Sequence, residues 1–213
     1  MSPPDEPAIA AIMRAAPVIP VLVIDDATQA VSLAETLVSA GLPVIEVTLR
    51  TSNALMALRE MARVPGAIVG AGTVTDARQL KTSLDAGAQF IVSPGLTDPL
   101  GHAARTANIP FLPGIATAGD IMRGLDLGLS HFKFFPAEAS GGAAALRALA
   151  GPFHQCRFCP TGGISADNAA DWLALDPVLC VGGSWIAPKI MRGQKVDLAA
   201  LAARANAAAA LRL

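Results

Sequence analysis

A single α/β domain folded as a (β/α)8 barrel, the TIM-barrel class, is the architecture this chain predicts, and three observations lead to it. Short apolar, β-branched runs alternate with longer Ala/Leu-rich segments eight times along the sequence. The runs are apolar almost throughout rather than alternating with polar residues, as in parallel sheets covered on both faces. At 213 residues the chain lies near the compact limit for eight such units. Only 15% of residues are charged and 53% are hydrophobic, which leaves a large core under a thin polar shell.

Taken in order, "VIPVLVI" (18–24) is the first strand, and a helix over 27–40 follows it with Asp26 as its cap. "PVIEVTL" (43–49) leads into a helix over 52–63, "AIVGAG" (67–72) into 76–86, and "AQFIVS" (88–93) into 98–107. "IPFLP" (109–113) precedes 118–127, "HFKFF" (131–135) precedes 142–150, and "CRFCP" (156–160) precedes 166–173. "PVLCV" (177–181) precedes the Ala-rich tail "LAALAARANAAAALRL", which is helical by propensity but shows no partner. Gly or Asn stands at the junctions "DAGAQF", "TANIPF" and "DLGLSHF", where a helix end favours such residues. The residues before Pro17 read as an extra N-terminal helix over the barrel floor. An open doubly wound sheet is the alternative architecture. No G-x-G-x-x-G follows a strand, which argues against a dinucleotide site. No linker or low-complexity segment divides 1–213.

Charge and cysteine usage exclude several classes. A net charge of −1 offers no footprint for nucleic acid or an anionic membrane. The apolar stretch at 15–24 ends at Asp25-Asp26, well short of the ~20 residues a spanning helix needs. "MSPPDEP" at the start lacks the basic region of a signal peptide, so a cytoplasmic protein is expected. Cys156, Cys159 and Cys180 are an odd number in a chain this long, which does not read as a disulfide framework. Cys156 and Cys159 have the spacing of a zinc or redox half-site, but they fall in a strand and no second pair exists. His102, His131 and His154 are dispersed without ligand spacing, so neither a metal nor another cofactor is implied.

Barrels of this class carry their chemistry at the C-terminal ends of the strands. Those ends read "EVTLRT", "GAGTVT", "SPGLT", "PGIAT", "KFFPAE", "PTGGIS" and "GGSW". Period-2 alternation then sorts the faces. In 43–49, Ile45, Val47 and Leu49 form the apolar face for helices, so Glu46 points inward with Val44, Thr48 and Arg50. In 131–135, Phe132 and Phe134 face the helices, so Lys133 points inward with His131 and Phe135. An acid and a lysine inside a barrel are costly unless paired or used. One reading is a buried pair that sets strand register, which often adds no net stability. The other is that burial disfavours the ammonium form, leaving an amine able to attack a carbonyl and form a Schiff base, with Glu46 shuttling protons.

The Gly-Gly pairs of "TGGIS" (161–165) and "VGGS" (181–184) follow the last two strands, where such barrels commonly hold phosphate. Backbone N–H groups of glycines approach an anion closely, a following helix N-terminus favours it, and Ser184 adds a hydroxyl. Either pair alone is equally a tight strand-to-helix turn. Arg50, at the end of its strand, is suited to holding a carboxylate bidentately with help from the Thr73 hydroxyl; the competing reading is a solvated loop arginine.

Together "EVTLRT", "GAGTV", "SPGLT", "FKFFPAE", "RFCPTGGIS" and "GGSW" resemble the 2-keto-3-deoxy-6-phosphogluconate (KDPG) aldolases of the Entner–Doudoroff pathway, class I enzymes that overlap with 4-hydroxy-2-oxoglutarate (KHG) aldolases. The resemblance runs from Pro17 to Pro188 in order. It implies that Lys133 is the Schiff-base lysine and Glu46 the general acid/base. Arg50 and Thr73 would bind the carboxylate of the pyruvyl moiety, with Pro94 and Phe135 lining the pocket. Thr161, Gly162, Gly163, Gly183 and Ser184 would surround the phosphate of a phosphorylated 2-keto acid. It further implies a homotrimer and no cofactor. Two other readings of the same residues are a phosphosugar isomerase or epimerase, with Glu46 as base and Lys133 as electrostatic stabiliser, and a non-catalytic phosphosugar-binding barrel.

Overall fold

In chain order the strands are β1 (Val18–Leu22), β2 (Val44–Thr48), β3 (Ile68–Gly72), β4 (Phe90–Val92), β5 (Phe111–Leu112), β6 (Gly114–Ile115), β7 (His131–Phe134), β8 (Arg157–Pro160) and β9 (Val181–Gly183). The helices are α1 (Ala8–Arg14), α2 (Ala30–Ser39), α3 (Ala54–Met61), α4 (Ala77–Asp85), α5 (Asp98–Thr106), α6 (Ala118–Asp126), α7 (Gly142–Ala150), α8 (Ala169–Leu173) and α9 (Leu198–Ala209). The computed structural model describes residues 8–211, so the "MSPPDEP" segment lies outside the described residues. Among the described residues no helix is long and apolar enough to cross a membrane.

All strand pairing is parallel and falls into two groups, β5-β4-β3-β2-β1-β9 and β6-β7-β8. The groups are joined at both ends, which closes the barrel. β5 and β6 are consecutive and separated only by Pro113. Proline has no N–H to donate to a ladder, and at Pro113 the chain changes neighbours: Phe111 and Leu112 pair with β4, Gly114 and Ile115 with β7. At the other join, bridges Phe158↔Val178 and Thr161↔Gly182 tie β8 to the segment containing β9. The "PGIAT" stretch expected as a loop therefore begins as strand.

The last strand also differs from expectation. The run 177–181 touches β8 at Val178, but the ladder with β1 covers Val181 to Gly183, so the second Gly-Gly pair lies in the strand. The reason is steric. A Cβ at Gly182 would lie 2.2 Å from Thr161 Oγ1 and one at Gly183 would lie 2.2 Å from the Trp185 ring, so only glycines allow close approach on both sides of this strand. No helix follows directly, since α9 starts only at Leu198.

Helix starts carry the expected chemistry. Asp76, Thr97 and Asp197 cap α4, α5 and α9 by accepting backbone N–H bonds, and Thr117 with Asp120 forms a reciprocal capping box at α6; each such cap is worth about 1 kcal/mol. Asp26 caps a short 3-10 turn, Ala27–Gln29, immediately before α2. Leu201, Ala205 and Ala208 of the Ala-rich tail are buried, and α9 packs on α2. The small residues are what permit it: a Cβ on Gly41 would lie 3.3 Å from that of Ala209.

Two apolar layers result. Ile45, Val47, Val69, Ala71, Ile91, Phe132, Phe134 and Phe158 face the helices. Ile19, Val44, Phe90, Val92, Leu112, Cys159 and Cys180 fill the lower interior, and Ile9 and Met13 of α1 join them, so the N-terminal helix stoppers the floor. Gly70 leaves room for the Phe90 ring, which a Cβ would approach to 2.4 Å.

All three cysteines are free and buried. A hydrogen bond with Cys159 and burial push the Cys180 thiol well up, and burial raises Cys156. Thiolate is the reactive form, so a water-soluble disulfide reagent at pH 7.5 should titrate no thiol in the folded protein and three after denaturation. Rapid reaction of Cys180 in the native state would contradict this packing.

Candidate active site

Three residues of β2 separate the helices from the lumen by parity. Val44 belongs to the interior cluster and Ile45 and Val47 to the outer layer, so Glu46 is carried inward. In β7, Phe132 and Phe134 belong to the outer layer, and Lys133 between them turns inward. β2 and β7 are not sheet neighbours. Their two charges meet across the lumen, where Lys133 Nζ donates to Glu46 Oε1 at 3.1 Å and Oε2 at 3.2 Å. The side chains are only 6% and 4% exposed.

The neighbours of this pair are shaped around it. Gly72, next to Thr48 in the β2–β3 register, has no side chain because the Glu46 carboxylate occupies that volume; a Cβ there would lie 2.1 Å from Oε1. Thr48 is fully buried and donates its hydroxyl to the Leu22 carbonyl at 2.8 Å, which ties the ends of β1 and β2 together. The Phe135 ring centroid is 5.4 Å from Lys133 Nζ, a cation–π distance. Gly114, the register partner of Lys133, lies under the Pro94 carbonyl, which a Cβ would approach to 2.2 Å.

Above the pair the surface becomes polar. Arg50 is exposed, and its Nε donates to Thr73 Oγ1 at 3.2 Å. Thr73 has φ +60°, a region that β-branched residues avoid at a cost of about 1–2 kcal/mol. That strain aims its hydroxyl at Arg50. Gly162 and Gly163, at φ +98° and +84°, make a turn that only glycine adopts cheaply. Gly162 packs on the Phe135 ring, so this turn abuts the wall of the lysine site. Thr161 is buried and meets the last strand at Gly182, while Gly183 is buried and Ser184 exposed at its end.

The sequence-derived residues thus divide into Lys133 touching both Glu46 and Phe135, Pro94 against Gly114, Arg50 with Thr73, Thr161 with the two glycines that follow it, and Gly183 with Ser184 at the end of the last strand. The helix-dipole part of the anion argument does not hold. Neither Gly-Gly pair runs into a helix N-terminus: α8 begins only at Ala169 and has five residues, and α9 is more distant. Sequence reasoning passed over Gly72, for which period-2 parity in "AIVGAG" was the available signal; Gly182 entered only as half of a Gly-Gly pair, and its close packing on Thr161 was not foreseen.

The family model for aldolases of the KDPG and KHG type matches residues 9–203. This chain belongs to the KDPG/KHG aldolases. It is 57% identical over 178 residues to a 2-dehydro-3-deoxy-phosphogluconate aldolase of Dickeya dadantii, covering 83% of this chain and 84% of that one. It is 56% identical to a KHG/KDPG aldolase of Escherichia coli K12 over the same shares. Among solved structures, the Zymomonas mobilis ZM4 KDPG aldolase with 3-phosphoglycerate superposes with a TM-score of 0.92 at 52% identity, covering 96% of both chains. The Legionella pneumophila KDPG aldolase, with pyruvate captured as a covalent carbinolamine, superposes with a TM-score of 0.89 at 42% identity, covering 94% of this chain and 98% of that one.

Two substitutions test the geometry. Gly72→Ala should displace the Glu46 carboxylate and lower kcat by about 10²-fold, the scale of a lost proton transfer, measured by steady-state kinetics on protein whose circular dichroism is native. Thr73→Gly should relieve the positive-φ strain and raise unfolding free energy by about 1 kcal/mol, while lowering kcat/KM; a destabilised Thr73→Gly protein would mean that the backbone there is not strained.

Proposed function

We propose that this KDPG/KHG aldolase acts through a Schiff base on Lys133, with Glu46 as its acid/base, cleaving 2-dehydro-3-deoxy-6-phosphogluconate to pyruvate and glyceraldehyde 3-phosphate and accepting 4-hydroxy-2-oxoglutarate as well. The observation that carries this reading is the buried Lys133–Glu46 pair, with amine and carboxylate oxygens 3.1 and 3.2 Å apart inside the barrel. A lysine kept only for stability has little reason to be there, because a buried ion pair often fails to repay its desolvation.

Glu46 takes a proton from the Lys133 ammonium; the freed amine adds to the C2 ketone to give a carbinolamine, and Glu46 returns that proton to the departing hydroxyl, so that water leaves and the protonated imine remains. That imine withdraws the electron pair of the C3–C4 bond as Glu46 takes the C4 hydroxyl proton. The bond breaks, the aldehyde leaves, and an enamine of pyruvate remains on the lysine. Glu46 returns its proton to C3, and water hydrolyses the imine to free pyruvate and the amine. One carboxylate within 3.2 Å of the nitrogen serves each transfer, because every reacting atom lies within a few bonds of Lys133. Arg50, with Thr73, holds the substrate carboxylate; Pro94 and Phe135 confine the pyruvyl carbons. Thr161, Gly162, Gly163, Gly183 and Ser184 take the phosphate through hydroxyl and backbone donors. The covalent carbinolamine of the Legionella pneumophila relative supports the same chemistry here, and the 3-phosphoglycerate of the Zymomonas mobilis relative supports a phosphorylated substrate.

The single barrel domain spanning 1–213, homotrimeric assembly and a cytoplasmic location complete the reading; static light scattering should return three times the chain mass.

Reduction with borohydride in the presence of pyruvate should add one reduced pyruvyl group, mapped by mass spectrometry to Lys133 and absent from Lys133→Ala. An unchanged intact mass would sink the Schiff-base mechanism. Glu46→Gln should still be trapped by borohydride, yet turn over about 10²-fold or more slowly; near-normal turnover would remove Glu46 from its role.

A further inference from the structure

Glu138 has no part in the steps above, yet its carboxylate is the hub of a hydrogen-bonded cluster behind the Gly162-Gly163 turn. Its Oε1 accepts from Asn168 Nδ2 at 3.2 Å and from Trp172 Nε1 at 3.0 Å. Asn168 Nδ2 also donates to the Gly163 carbonyl at 3.1 Å, and its Oδ1 accepts the Ser165 N–H at 2.8 Å. The Glu138 backbone N–H donates to the Gly162 carbonyl at 3.1 Å, and the Ala137 N–H to the Thr161 carbonyl at 2.8 Å. Trp172 is almost fully buried against Phe134 of β7, with ring centroids 6.3 Å apart. The cluster is therefore anchored to the strand that carries Lys133.

The consequence follows from peptide planarity. In a trans peptide the C=O and the next N–H point in opposite directions within one rigid plane. Pinning the carbonyls of Thr161, Gly162 and Gly163 from behind turns the N–H groups of Gly162, Gly163 and Ile164 the other way. Two adjacent glycines would otherwise have the widest conformational freedom of any dipeptide, and ordering them on binding costs free energy. The fit is specific to glycine on the other side too, since a Cβ on Gly163 would lie 2.4 Å from Glu138 Cγ.

We propose that Glu138, acting through Asn168 and its own backbone N–H, is a positioning residue that presets the 161–163 turn for the phosphate and so sets the preference for phosphorylated over unphosphorylated 2-keto acids. This rests on the reading that the turn takes the phosphate. The acceptor oxygen is what the cluster uses, so an amide at 138 retains the function and a methyl does not.

The test is kcat/KM on 2-dehydro-3-deoxy-6-phosphogluconate and on 4-hydroxy-2-oxoglutarate, for wild type and for Glu138→Ala, Glu138→Gln and Asn168→Ala, with thermal unfolding of each. In Glu138→Ala and Asn168→Ala the ratio of the two values should fall about tenfold, the scale of one displaced hydrogen bond. The loss should appear in KM for the phosphorylated substrate, with Glu138→Gln retaining most of the wild-type ratio. Glu138→Ala strands the buried Trp172 N–H; should it fail to fold, Asn168→Ala, which keeps the Trp172–Glu138 bond, and Glu138→Gln decide. An unchanged ratio, or an equal loss on both substrates, would overturn the proposal. A wild-type enzyme indifferent to the phosphate would overturn the phosphate reading itself, and that result is visible before any variant is made.

Discussion

A lysine and a glutamate joined across the inside of a closed sheet impose the main constraint on this molecule. Two charges in a dry interior cost several kcal/mol each to desolvate, and removing either partner alone costs about 3–5 kcal/mol. The surroundings accommodate that expense in identifiable ways. Gly72 cedes its side-chain volume to the carboxylate, the Phe135 ring lies beside the ammonium, and an apolar layer from Phe90 to Cys180 seals the space below. Met13 and Ile9 of α1 complete that seal, so the lumen opens on one side only.

The opening is built from strand ends, and each end is held by something other than its own strand. Thr48 is bonded to the Leu22 carbonyl, Thr73 is held at positive φ beside Arg50, and the Gly162-Gly163 turn is bonded from behind by Ala137, Glu138 and Asn168. Backbone held in this way keeps donors and hydroxyls aimed without reorganising when a substrate arrives, which is where electrostatic catalysis draws its advantage. The low charge of the chain is consistent with this economy: few ionic groups are present, and two of them form the centre.

Much of the barrel is legible in the residues alone. Apolar runs locate eight extended segments, Gly and Asn mark helix ends, and parity sends Glu46 and Lys133 inward because Ile45, Val47, Phe132 and Phe134 need helices to cover them. These are local signals, set by side-chain period and turn chemistry. The same signals fail at Pro113, where the chain exchanges β4 for β7, and at 181–183, which reads as a turn and is a strand. Both errors sit where the barrel changes neighbours, and pairing partners distant in sequence leave no local trace.

By itself, then, the sequence determined the class of fold, the faces of the strands and the chemical types available at their ends, because those depend on neighbours one or two residues away. Only the tertiary structure decided that Glu46 and Lys133, 87 positions apart, touch, that Gly72 is empty for their sake, and that the Glu138 carboxylate, on an exposed residue, is tied to Asn168 and Trp172 behind the glycine turn. Closure of the barrel brings these groups together, and closure is a property of all the strands at once.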